Sequence, residues 1–114
     1  MQELKLSSEL FPLIYAGAKR ATVRSGKTAI TPGSLALESG DGGWGIIVKV
    51  TDVRHKKVSE LTDEEAQLDC ADSAQELVSL LKDFYPNIQP TDDITVILFD
   101  FFDAFEWLPD GEIP

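Results

Sequence analysis

The chain predicts an α+β domain, a small curled sheet or barrel with helices at its ends. Three observations carry that prediction. Strand-like and helix-like periodicities alternate in the order strand, helix, strand, several strands, two helices, strand. Residues 44–57 and 94–102 are long, β-branched stretches, and the second is apolar on both faces, the mark of a central buried strand. Between them, Thr62 with Glu65 and Ser73 with Glu76 have the spacing of two helix-opening capping boxes.

Taken in order, residues 3–6 read as a short first strand. Ser7 and Ser8 offer an N-cap for a helix over residues 9–18 that carries Leu10, Phe11, Leu13, Ile14 and Tyr15. Gly17 suits the left-handed residue that ends such a helix. Residues 21–24 read as a strand, with Thr22 and Arg24 on one face and Ala21 and Val23 on the other. Ser25-Gly26-Lys27 and Thr31-Pro32-Gly33 are turn sequences. Residues 34–38 alternate as a strand, and Ser39-Gly40-Asp41-Gly42-Gly43 is a hairpin loop. In the long strand after it, Ile46, Val48 and Val50 share one face, and Ile47, Lys49 and Thr51 the other. The second of the paired helices presents Leu77, Leu80, Leu81 and Phe84 at helical spacing, a stripe expected to pack on the barrel, and Tyr85-Pro86 stops it. The expected organisation is one domain over residues 1–114, with a core of about residues 8–102 and an acidic-aromatic tail over 103–114.

With 114 residues, 43% of them hydrophobic and 9% aromatic, the chain is globular rather than disordered. A domain of this size buries about 65% of its unfolded surface, enough for a core without staples. The single cysteine, Cys70, cannot form an internal disulfide, which fits a reducing compartment. No apolar run approaches the ~20 residues of a membrane span, and no signal peptide is evident, so the expectation is cytoplasmic, away from membranes. Net charge is −10, but unevenly spread: residues 1–57 hold nine basic residues against five acids, and residues 58–114 hold Lys82 alone against fifteen. A +4 half beside a −14 half leaves two readings: one face receives a small anionic or polar ligand while the rest repels long nucleic acid, or the acidic half simply keeps the protein in solution.

The basic half carries the most informative motif, Gly17, Lys19, Thr22 and Arg24 in G-x-K-x-x-T-x-R spacing across the helix-to-strand junction. An ammonium, a hydroxyl and a guanidinium converging there suit a phosphate, a carboxylate or a polar base edge. A solvated basic turn with a capping glycine is the alternative that spacing alone leaves open. Tyr15 and Trp44 are candidates to stack on a base. His55, beside Arg54, Lys56 and Lys57, reads as a solvated strand edge. With no second histidine and no cysteine pair, no metal is expected, and no glycine-rich phosphate loop indicates a nucleotide cofactor. No cofactor is expected at all.

The motif residues, Gly33, the strand Trp44-Gly45-Ile46-Ile47-Val48-Lys49-Val50, the run Leu61-Thr62-Asp63-Glu64-Glu65-Ala66, Tyr85-Pro86 and Val96-Ile97-Leu98-Phe99 together resemble an ASCH domain, of the PUA-like β-barrel superfamily. The resemblance covers about residues 8–102. It implies a PUA-like barrel that binds RNA or a nucleoside. In small bacterial members of the 4-acetylcytidine amidohydrolase type, the lysine and threonine of the motif act with a glutamate three residues after the helix alanine. Carried over, these are Lys19, Thr22 and position 69, where this chain has Asp69, one methylene (about 1.5 Å of reach) shorter. A second departure is Ser34, where the family usually places an acid.

The leading expectation is therefore hydrolysis of an acyl amide on a modified cytidine nucleoside, with Thr22 as nucleophile, Lys19 as base and Asp69 positioning Lys19 or passing a proton to the leaving amine. Arg24, Tyr15 and Trp44 are the candidate substrate-binding residues. The side chains of Lys19 and Asp69 are not expected in the apolar core. An ionised Asp69 beside Lys19 would raise the lysine's pKa and oppose the base role. The alternative is a non-catalytic RNA-binding module, and ribonuclease action is a third reading. The partner in each case is a nucleoside or short RNA segment.

Overall fold

Two 14-residue strands, β4 (Trp44–Lys57) and β5 (Asp93–Glu106), pair antiparallel over their whole length and form the spine of the molecule. In this computed structural model the backbone is described for residues 1–40 and 44–106, and side chains for 1–40 and 45–102. The remaining strands are β1 (Gln2–Leu6), β2 (Ala21–Ser25) and β3 (Gly33–Ser39). The sheet order is β1-β3-β4-β5-β2, with β1 parallel to β3 and the other pairs antiparallel. Register shifts at Ile47/Val48 and Val50/Asp52 break the β4–β5 ladder, and such bulges bend and twist a strand pair. The result is a curled half-barrel with helices at its ends, the predicted α+β class.

The curl creates two cores. Leu6, Phe11, Ile14, Leu35, Leu37, Ile46, Val48, Ile97 and Phe99 fill one; Val23, Leu61, Ala66, Leu77, Leu81, Ile94 and Val96 fill the other, beneath the paired helices. Ile94 and Val96 face one cluster while Ile97 and Phe99 face the other, which is why β5 reads as apolar on both faces.

Several local expectations need correction. In place of a helix over residues 9–18, a 3₁₀ turn (Ser8–Leu10) leads into a five-residue helix, α1 (Phe11–Tyr15), with Pro12 in its first turn. Neither segment has a side-chain cap bond. Termination is early because the Leu13 carbonyl accepts from both Ala18 N–H and Lys19 N–H, at 2.9 and 3.0 Å, with Gly17 at φ +76° making the turn. The box at Thr62 and Glu65 is complete and opens α2 (Asp63–Leu68). At α3 (Ala74–Phe84) it is half made: Ser73 Oγ accepts from Glu76 N–H, but the Glu76 carboxylate reaches Asp72 N–H. Leu77 and Leu81 of the expected stripe are buried, whereas Leu80 and Phe84 are exposed. Strand β5 continues through Asp103 to Glu106, past the expected start of the tail. Residues 41–43 of the hairpin loop and 107–114 of the tail lie outside the described residues.

Candidate functional site

The unpaired edges of the sheet are β1 and β2, and between them the half-barrel is open. In the β2–β5 ladder, Arg20 and Gly26 bond to β5 (Phe99 N–H to Arg20 O, Gly26 N–H to Asp93 O). Alternation along an antiparallel pair then turns the backbone groups of Ala21, Val23 and Ser25 toward the open edge. Side chains meet one group on each of the first two. Lys19 Nζ donates to Ala21 O at 2.8 Å, and the Asp69 carboxylate accepts from Val23 N–H. Lys19 and Asp69 also form an ion pair with each other. Arg24 Nη2 donates to Lys5 O at 2.8 Å across the opening, tying β2 to β1.

Asp69 arrives here because α2 ends at this edge. It is the C-cap residue of α2, and the carbonyl of Leu68 just before it accepts from Arg20 N–H at 2.7 Å. Cys70, which follows, has φ +66° and takes the chain away. Asp69, one methylene shorter than a glutamate, reaches Lys19 from this position.

Lys19, Thr22, Arg24 and Asp69 line one cavity of about 390 Å³, with Cys70 beside them. The wall opposite is apolar, formed by Leu77, Leu80, Leu81 and Phe84 of α3, and residues 5–7 form part of the rim. Lys19 and Thr22 are each 4% exposed, although neither belongs to the two apolar clusters. Arg24 Nε lies 3.4 Å from Thr22 Oγ1, in position to donate to it.

The electrostatics bear on the conflict posed by the Lys19–Asp69 pair. Burial pushes the Asp69 carboxyl above its ordinary value; Lys19, Arg24 and the Val23 N–H pull it back without cancelling the effect. Burial lowers the pKa of Arg24 too, opposed by Tyr85 and Asp69, yet an arginine starts so high that it stays charged at neutral pH.

Two further candidates are placed elsewhere. Tyr15 is not among the cavity's lining residues: it is half exposed on α1, its ring 4.8 Å from that of Phe101 at 52°. Trp44 pairs with Glu106, eight positions along β5 from the Leu98 partner of Ala21, and its side chain lies outside the described residues. His55 is exposed, with Nδ1 3.1 Å from Thr95 Oγ1. Among the described residues there is no group of three or more His, Cys, Asp or Glu that could hold a metal, and no helix is long and apolar enough to cross a membrane. Sequence reasoning missed Cys70 and the α3 wall as cavity residues; a helical stripe wide enough to include both Leu80 and Phe84 was the available signal for the latter.

No protein-family model matches the chain, and no curated protein does. Solved structures do. The ASCH domain from Lactobacillus crispatus JV V101 has a TM-score of 0.73 at 13% identity, covering 88% of this chain and 79% of that one. The hypothetical protein PH0355 has 0.70 at 24%, covering 89% and 98%. A protein of Enterococcus faecalis V583 described by the family model DUF984 has 0.69 at 17%, covering 92% and 82%. At such identities the likeness is one of fold, and the fold of this chain is that of the ASCH domain.

Proposed function

We propose that the protein is an RNA-related pocket protein that binds a cytidine-type nucleoside and hydrolyses an acyl amide on it. The observation that carries this reading is the convergence of a buried hydroxyl, a buried amine and a carboxylate in one cavity with an apolar wall. Thr22 Oγ1 would attack the acyl carbonyl, with its proton passing to the Lys19 amine once that amine has given a proton to Asp69. Collapse of the tetrahedral adduct would break the C–N bond, the leaving nitrogen taking the proton that Lys19 accepted. Water would then cleave the acyl–Thr22 ester. Arg24, permanently charged and within reach of Thr22, suits the developing oxyanion.

The ion pair itself favours a second reading, a binding module without turnover. An ammonium that donates to both Ala21 O and Asp69 is a well-held donor for a ligand carbonyl and a poor base. Incubation with 4-acetylcytidine, followed by its ultraviolet absorbance, separates the two. Turnover that is lost in Thr22→Ala and in Lys19→Ala supports the hydrolase; binding without turnover supports the module. Because Asp69 already reaches Lys19, Asp69→Glu should retain activity, while Asp69→Ala should remove most of it.

A further inference from the structure

Phe84 stands between two cavities. The first is the one described above; the second adjoins it at the end of α3, is lined by Ser25, Asn87 and Asp92 among others, and shares Phe84 and Tyr85 with the first. Phe84 is 79% exposed although it sits at the last position of α3, where Leu77 and Leu81 already anchor the helix. A phenyl ring left in water between two cavities contributes little to folding and is well placed to meet a ligand face.

The second cavity has the polar groups a nucleobase edge needs. Asn87 supplies amide donors and an acceptor, Asp92 a carboxylate, and Ser25 a hydroxyl. The strand alternation that directs Ala21 O to Lys19 and Val23 N–H to Asp69 turns the backbone groups of Ser25 toward the same open edge. The cavity carries an acid and no lysine or arginine, so it suits an uncharged base rather than a run of phosphates.

We propose that the site takes a two-nucleotide segment: one nucleoside on the Lys19–Thr22–Arg24–Asp69 floor and its neighbour in the second cavity, with the neighbour's base stacked on Phe84. This rests on the nucleoside reading above and extends it from a free nucleoside to a short strand. Base–aromatic stacking is worth about 5- to 150-fold in affinity.

The test is titration calorimetry with cytidine and with the dinucleoside monophosphates CpA and ApC, at one fixed salt concentration. One dinucleoside is expected to bind about tenfold tighter than cytidine. Phe84→Ser should collapse that ratio toward one, and Phe84→Tyr, which keeps an aromatic face, should preserve it; circular dichroism checks that both variants are folded. Cytidine binding with neither dinucleoside tighter overturns the two-subsite inference and leaves the nucleoside reading standing. A Phe84→Ser ratio equal to that of the parent overturns it as well. Binding of none of the three ligands overturns both readings.

Discussion

Replacing Asp69 by Asn removes a charge while keeping a carbonyl oxygen to accept from Val23 N–H, so it isolates the electrostatic part of the Lys19–Asp69 contact. The Lys19 side chain is 4% exposed and that of Asp69 13%, which places the pair inside the protein beside an open cavity. Removing one partner of a fully buried pair costs about 3–5 kcal/mol, because the other charge is left without compensation, and the cavity puts this case at roughly 3 kcal/mol. Against a total stability of about 5–15 kcal/mol, that is a large fraction. For a domain of this length it corresponds to a fall in Tm of roughly 10–15 °C, readable by thermal unfolding under circular dichroism. Lys19→Gln combined with Asp69→Asn makes the pair neutral while keeping a donor and an acceptor, and should recover most of the loss. The effect should also change little between low and high salt, since buried pairs are poorly screened. A fall of less than about 3 °C for Asp69→Asn would refute the claim that Lys19 depends on this carboxylate, and with it the view that the pair caps the β2 edge.

Other expectations follow from neighbouring contacts. Glu65 is 1% exposed; burial pushes its carboxyl up, but hydrogen bonds from Lys56, the Thr62 N–H and Arg54 outweigh that and hold it below the ordinary value. A lowered folded-state pKa means that its contribution is present above the ordinary value of about 4.3 and lost as pH falls through the folded one. The stability gap between the parent and Glu65→Gln should therefore be widest at neutral pH and close below pH ~4; a gap independent of pH would contradict the assignment. Cys70 lines the cavity, and burial raises its thiol pKa, with Lys19 opposing the rise and Asp69 adding to it. Alkylation by iodoacetamide at neutral pH should be slower than that of free cysteine, and slower again with ligand bound; a rate unchanged by saturating ligand would show that the ligand binds elsewhere. Long RNA should bind weakly and lose affinity steeply with added salt, because the −14 half offsets the +4 half. Filter binding that is tight at physiological salt would contradict that.

The legible parts of the fold were those where one residue type answers to one local force. Residues 44–57 read as a strand over the full span because alternating Ile46, Val48 and Val50 must be buried, and Thr62 with Glu65 opens α2 with both bonds of the capping box. The length of α1 was not legible, because the competing acceptor, Leu13 O, is shared by two N–H groups only after the chain has turned. Nor was the exposure of Leu80 and Phe84: a helical stripe records which residues share a face, and the cavity facing them arises from strands distant in sequence. Lys19, Thr22 and Arg24 announced themselves as a motif. Asp69, fifty residues on, was reached through family resemblance, and no spacing argument links it to Lys19. Arg24 was read as a ligand group, yet its guanidinium also holds the Lys5 carbonyl of the other edge strand.

That last contact explains why the site lies where it does. A sheet that curls without closing leaves outward N–H and C=O groups along both edges, and buried ones need partners. In this chain the partners of the β2 edge are side chains: Lys19 for Ala21 O, and Asp69 for Val23 N–H. Arg24 serves the facing edge through Lys5 O. Groups chosen to satisfy a buried backbone must be polar, fixed and mostly dry, and those are also the properties a reacting group requires. The same residues therefore serve the fold and the cavity, and a substitution among them changes both. It also follows that a ligand oxygen need not create a binding group here. It competes with Ala21 O or Lys5 O for donors already aimed at the opening, so recognition requires the turn of a side chain rather than a movement of the sheet.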